Sequence, residues 1–104
     1  MNYLVKLRRI ETRDLRGRRL LVLPYFLRDA YKTGYSREEL GAIKFDVEFL
    51  GADKDFLYFV ITVPNKVLGR ILVQKIKELV GSYLEVYPFT SLFLSSLELL
   101  SQHL

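Results

Sequence analysis

The residues most suited to chemistry in this sequence are cations, and they gather near the N-terminus. Seven Lys and Arg side chains lie between Lys6 and Arg19, against two carboxylates, Glu11 and Asp14. A guanidinium group pairs with phosphate through two parallel hydrogen bonds, so such a cluster suits the backbone of a nucleic acid. The sequence therefore predicts a nucleic-acid-binding site made of Lys6, Arg8, Arg9, Arg13, Arg16, Arg18 and Arg19.

The distribution of charge favours this interpretation but leaves a second one open. The net charge is +4, and residues 1–32 hold nine Lys and Arg against three Asp and Glu. Asymmetry of this kind points to an anionic partner. The alternative is a solvated hairpin whose arginines pair with Glu11, Asp14 and the acidic middle of the chain.

Two aromatic residues, Phe56 and Tyr58, form a second candidate site. They lie two positions apart in the apolar segment Phe56–Val63. Strand alternation then places them on one face of a sheet, opposite Leu57 and Phe59. The alternative is that both rings pack beneath an N-terminal strand or a C-terminal helix.

The segment around these aromatics resembles the third strand of an RNA-recognition motif. Lys54, Phe56 and Tyr58 match its basic and aromatic positions, whereas Asp55 and Leu57 depart from its glycine and small residue. The resemblance implies that bases stack on the two rings, and therefore that the partner is RNA or single-stranded DNA rather than duplex DNA.

A second resemblance is to the swapped-hairpin DNA-binding dimers of the AbrB type. These have Gly-Arg, a short apolar strand, Pro and then a helix, but here the spacing from Gly to Pro is two residues longer. The resemblance implies a DNA-binding transcription regulator, and the matching residues are Gly17, Arg18, Val22, Pro24, Leu27 and Arg28.

Catalytic chemistry has little support in the sequence. There is no cysteine, and the single histidine, His103, is next to the C-terminus, where residues fray. Asp46 and Glu48 share one strand face, an arrangement typical of solvated carboxylates. We therefore expect no enzyme activity, no metal and no cofactor.

Length and composition predict one domain spanning residues 1–104, and the order of its helices and strands predicts the α+β class. Half of the residues are hydrophobic and 27% are charged, as in ordinary globular proteins. The longest uncharged stretch, Val86–Leu97, is far shorter than the ~20 residues of a membrane-spanning helix, so a cytoplasmic protein is expected. Two Asn, two Gln and no Cys are typical of a thermophile.

Periodicity and turn residues predict an order of elements along the chain. We expect strands at Tyr3–Ile10, Arg19–Leu23, Ile43–Phe49, Phe56–Val63 and Tyr83–Tyr87, with turns at Thr12–Arg18 and Gly51–Asp55. We expect helices at Tyr25–Lys32, from Ser36 to Gly41, at Lys66–Val80 and at Ser91–His103. The helix at Ser36 is predicted from the capping-box pattern Ser36-Arg37-Glu38-Glu39.

From Arg19 onward this order matches the ferredoxin-like βαββαβ sandwich. Arg19–Leu23 and Phe56–Val63 are apolar on both faces, as central strands are, whereas the other two strands alternate as edges do. The prediction is thus a ferredoxin-like sandwich with an extra N-terminal strand or hairpin and a C-terminal helix.

The C-terminal segment Phe89–Leu104 carries one acid and no Lys or Arg. A helix this apolar docks on its own domain, on a second copy of the chain or on a larger protein complex. The alternative function is therefore that of a structural or adaptor subunit that binds protein through this helix.

Overall fold

The computed structural model describes residues 1–88 of the chain. The strands are β1 (Asn2–Arg8), β2 (Glu11–Arg13), β3 (Arg19–Leu21), β4 (Tyr35–Leu40), β5 (Ile43–Ala52), β6 (Phe56–Thr62) and β7 (Leu84–Pro88). The helices are α1 (Tyr25–Thr33) and α2 (Lys66–Val80), and a 3₁₀ turn, Gly81–Tyr83, follows α2. The molecule is an α+β protein, and the predicted helix at Ser91–His103 lies outside the described residues.

Five of the strands form one antiparallel sheet in the order β4-β5-β6-β1-β7. β1 pairs with β6 along its whole length, from Asn2 opposite Thr62 to Arg8 opposite Phe56. Its other side pairs with β7. β2 and β3 form a separate two-stranded ribbon, which we call the arm.

Both helices contribute to one core on one face of the sheet. Alternate residues of the two central strands, among them Val5, Leu7 and Phe59, are buried in that core with Phe26 of α1 and Ile76 of α2. Strand alternation turns the residues between them to the opposite face, which we call the second face. Leu57, Phe59, Ile61 and Val63 belong to this core, so Phe56 and Tyr58 lie on the face opposite Leu57 and Phe59, as alternation along the strand predicted.

The caps of α2 explain why the sequence predicted its bounds correctly. The side chain of Asn65 accepts a hydrogen bond from the Leu68 amide at 2.9 Å, which satisfies one free donor at the helix start. Gly81 follows the last turn with a φ of +65°, a conformation that favours glycine. Along the helix, Leu72 and Ile76 are fully buried.

The predicted helix beginning at Ser36 is wrong, because Tyr35–Leu40 is strand β4. This strand pairs with β5 from Tyr35 opposite Glu48 to Leu40 opposite Ile43. The two residues between the strands, Gly41 and Ala42, make a tight hairpin in which Gly41 has a φ of +64°. Ladder hydrogen bonds along the whole segment thus outweigh the local capping pattern.

The prediction that Arg19–Leu23 is a central strand is also wrong. The strand in this segment covers only Arg19–Leu21, and it pairs with β2 in the arm, outside the main sheet. The place beside β6 that was predicted for Arg19–Leu23 is occupied by β1, which pairs with β6 on one side and with β7 on the other. The segment of β1 was predicted as the extra N-terminal strand. The order of the strands therefore differs from the predicted one, although the α+β class and the five-strand antiparallel sheet are clear.

Within residues 1–88, neither helix has both the length and the hydropathy that crossing a membrane requires.

Candidate nucleic-acid interface

The arm presents two arginines side by side. Arg13 and Arg19 are directly opposite each other in the register of β2 and β3, so their side chains leave the same face. The ribbon is extended at its root by a 2.8 Å hydrogen bond from the Val22 amide to the Ile10 carbonyl. Every residue of β2 is exposed. We call the face that carries Arg13 and Arg19 the cationic face of the arm.

Among the described residues, few carboxylates lie close to Arg13 and Arg19. Arg19 Nη1 lies 3.8 Å from a carboxylate oxygen of Glu11, and Arg9 Nη2 lies 3.7 Å from the other oxygen. Arg13 donates a long hydrogen bond, 3.4 Å, to the carbonyl of Gly17. One carboxylate thus serves two arginines, and within residues 1–88 Arg13 has no ion pair.

The tip of the arm is organised by Asp14. One carboxylate oxygen accepts hydrogen bonds from the amides of Arg16 and Arg18, each at 2.9 Å, and the other accepts one from Arg18 Nε at 2.7 Å. The Arg18 amide, and then its guanidinium, hold the pKa of Asp14 below its ordinary value. Gly17, with a φ of +78°, closes the turn. Arg18 is therefore engaged by Asp14, whereas Arg16 projects into solvent.

Arg9 joins the root of the arm to the turn between β5 and β6. Its amide donates to the carbonyl of Asp55 at 2.8 Å, and its guanidinium donates to the carbonyl of Asp53 at 2.9 Å. With Glu11 as a third partner, Arg9 positions the arm against the sheet. It is therefore less free to contact a ligand than Arg13 or Arg16.

Phe56 lies on the second face beneath two cations. Lys6 Nζ is 4.0 Å from the centroid of its ring, and Arg8 Cζ is 5.4 Å from it. Lys6 also lies 3.8 Å from Glu85 of β7. These contacts place the predicted residues Lys6, Arg8 and Phe56 together, at the end of β1 from which the arm leaves.

Tyr58, predicted as the second stacking residue, has little contact with solvent. It is 4% exposed, and its hydroxyl donates a 2.5 Å hydrogen bond to Asp53 Oδ2. Burial, and then this hydrogen bond, raise the pKa of Tyr58 to about 12. Leu4 and Val60 on the same face are buried too. A base therefore has access to Phe56 but not to the ring of Tyr58.

Sequence reasoning located the cations and named Asp14 as a partner for the arginines, but it missed Asp53, whose carboxylate fixes the turn beside Phe56. Asp14 and Asp53 each fold a turn by accepting amides two or more residues ahead, as Asp does in turns. The available sequence signal for such a turn was an Asp in a short polar segment between two predicted strands. No group of three or more potential metal ligands occurs in the described part of the chain.

No protein-family model, curated protein or solved structure matches the chain.

Proposed function

We propose that the protein binds nucleic acid, with the cationic face of the arm against the phosphate backbone. The observation that carries the proposal is the pair of directly opposed arginines, Arg13 and Arg19. Like charges directly opposite each other destabilise a strand pair. A ribbon of three residues per strand is marginal in any case. A phosphate between the two guanidinium groups turns this repulsion into attraction.

RNA or single-stranded DNA is the preferred partner within this proposal. Phe56 lies under Lys6 and Arg8, and an aromatic ring beside cations suits a base whose phosphate contacts those cations. The burial of Tyr58 reduces the expected platform from two rings to one. Duplex DNA is the second candidate, since a two-stranded ribbon fits a major groove.

The test is a titration of RNA, single-stranded DNA and duplex DNA over a range of salt concentrations. Replacing Arg13 and Arg19 with Gln removes two phosphate contacts. We expect weaker binding and a log–log salt slope shallower by about 1.4 for a single strand. The matched control replaces Lys66 and Arg70, two exposed cations of α2, with Gln. Both double variants lose two positive charges, so a difference in affinity between them reports where the cations lie rather than the change in net charge.

Two results contradict the proposal. The first is that the unmodified protein binds none of the three ligands at low salt. The second is that the arm variant and the α2 variant lose affinity equally, since attraction would then come from net charge alone. Tighter binding to duplex than to either single strand would keep the arm but remove Phe56 from the site.

We also propose the ferredoxin-like arrangement, with Asn2–Arg8 as its first strand. Support comes from the sheet order β7-β1-β6-β5, with α1 between β1 and β5 along the chain and α2 between β6 and β7. β4 is then an addition at one edge, and the arm is an insertion after the first strand.

A further inference from the structure

An uncharged strip of side chains runs from the body of the molecule out along the arm. Its members are large hydrophobic residues, each at least 45% exposed. We call this set the apolar strip, and it consists of Leu15, Leu20, Val22, Tyr25, Leu79 and Tyr83.

The root of the strip is a groove of about 370 Å³ between the arm, the start of α1 and the end of α2. Val22, Tyr25, Leu79 and Tyr83 line it, together with Ile10. In β3 and its extension, Leu20 and Val22 point to one side and Arg19 to the other. Leu20 and Val22 therefore continue the strip from the groove along the face of the arm opposite to the cationic face, and Leu15 lies beyond them at the tip.

The charge around the strip indicates what kind of surface covers it. Among the residues of the range 1–88 that line the groove, Arg8 alone is charged, and its guanidinium lies over Phe56 on the second face. A charged partner thus finds no complementary group in the groove. The surface that fits is equally apolar and uncharged, and a second copy of this chain supplies one.

We propose that two copies associate through their apolar strips about a two-fold axis. A self-complementary patch used by both subunits is the commonest arrangement in homodimers. Tyr25 and Tyr83, at 56% and 49% exposure, bury on the order of 200 Å² per copy. The four aliphatic residues add a comparable area, so the strip supplies on the order of half of the ~800 Å² per partner that a standard interface buries.

This arrangement also gives the arm the support that it lacks alone. Leu15 is fully exposed at the tip, and Leu20 is 46% exposed. Packing these side chains against the partner holds the ribbon, while both cationic faces stay turned away from the interface. The dimer does not depend on nucleic-acid binding, so each proposal fails or survives by itself.

The test is sedimentation velocity of the full chain, without nucleic acid, over a range of micromolar concentrations. We expect a dimer, and we expect Leu20→Glu and Leu79→Glu each to shift it to monomer. Val67→Glu is the matched control, since Val67 is 68% exposed on α2 but outside the strip. All three positions are exposed, so circular dichroism and thermal melting should show the fold retained in each variant.

A monomer at every concentration overturns the proposal and leaves the strip to a different protein. A dimer that survives both strip variants also overturns it, because association would then use another surface. A dimer lost equally in the Val67→Glu control assigns the effect to added charge rather than to the strip, and it too contradicts the proposal.

Discussion

At the scale of single residues, Asp53 shows how one carboxylate sets the local structure on the second face. One oxygen accepts the amides of Asp55 and Phe56, at 2.9 and 2.7 Å, and the other accepts the hydroxyl of Tyr58. The Tyr58 hydroxyl is the main cause that holds the pKa of Asp53 below its ordinary value. The same contacts fix the start of β6 and so the position of Phe56.

Replacing Tyr58 with Phe removes the hydroxyl and leaves Asp53 one donor short. We expect a loss of about 1.5–3 kcal/mol in the free energy of unfolding, as for a hydrogen bond to a charged group. Because the pKa of Tyr58 is about 12 when folded and 10 when unfolded, its stabilising effect is complete below pH 10. It is lost as the pH rises from 10 to about 12.

Urea unfolding across this pH range measures the effect. The unmodified protein should lose stability between pH 10 and 12 more steeply than the Tyr58→Phe variant does. Parallel declines in the two proteins would mean that the Tyr58 hydroxyl is not linked to folding. The exposed Tyr25→Phe variant controls for removal of a phenol as such.

At the scale of elements, the sequence predicted those with a strong period and a clear end. α2 has an apolar stripe, an Asn cap and a terminal Gly, and its bounds were predicted as observed. β5 and β6 were predicted to within a few residues. β4 was not predicted, because a six-residue segment with a capping pattern is compatible with either a helix or a strand. Pairing with β5 decides in favour of the strand.

The predicted site shows the same limit. Cations were located from spacing alone, but their partners depend on register. Opposition of Arg13 to Arg19, and of Thr12 to Leu20, follows only from the observed pairing of β2 with β3. The burial of Tyr58 likewise depends on the whole sheet. Local alternation predicts on which face of the sheet the Tyr58 ring lies, but it does not predict whether other residues cover that ring.

The crossing of α2 over β1 provides a test of packing between elements. A Cβ added at Gly69 would lie 2.5 Å from Tyr3 Oη and 2.6 Å from Tyr3 Cε2. The Tyr3 ring is buried and therefore cannot easily move aside. We expect Gly69→Ala to destabilise by about 1–3 kcal/mol through overpacking, although alanine favours a helix by ~1 kcal/mol over glycine.

A double-mutant cycle with Tyr3→Leu checks this cause. In the Tyr3→Leu background the added methyl group has space, so Gly69→Ala should cost less or become stabilising. Equal costs in the two backgrounds would show that the contact between Gly69 and Tyr3 does not limit the helix position.

At the scale of the whole molecule, the arm is structurally separable from the sheet. The core consists of residues from β1, β4–β7 and the two helices, with Val63 following β6. From Glu11 to Leu21 the arm adds to it only the half-buried Leu21. The cationic face and the outer part of the apolar strip, Leu15 and Leu20, lie on this ribbon, so these candidate contacts are on a part of the chain that the core does not need.

Removal of the arm is therefore the test that separates fold from function. The Val22 amide donates to the Ile10 carbonyl at 2.8 Å, so these residues already face each other as a strand pair. An Asn-Gly turn in place of residues 11–21 suits that geometry. We expect the shortened chain to keep its far-ultraviolet circular dichroism and cooperative melting, because its core is intact apart from Leu21.

The shortened chain should lose nucleic-acid binding together with Arg13 and Arg19, and it should dimerise weakly because Leu15 and Leu20 are gone. A shortened chain that binds nucleic acid with unchanged affinity would place the binding site on the sheet, at Lys6, Arg8 and Phe56, and would remove the arm from the proposed function.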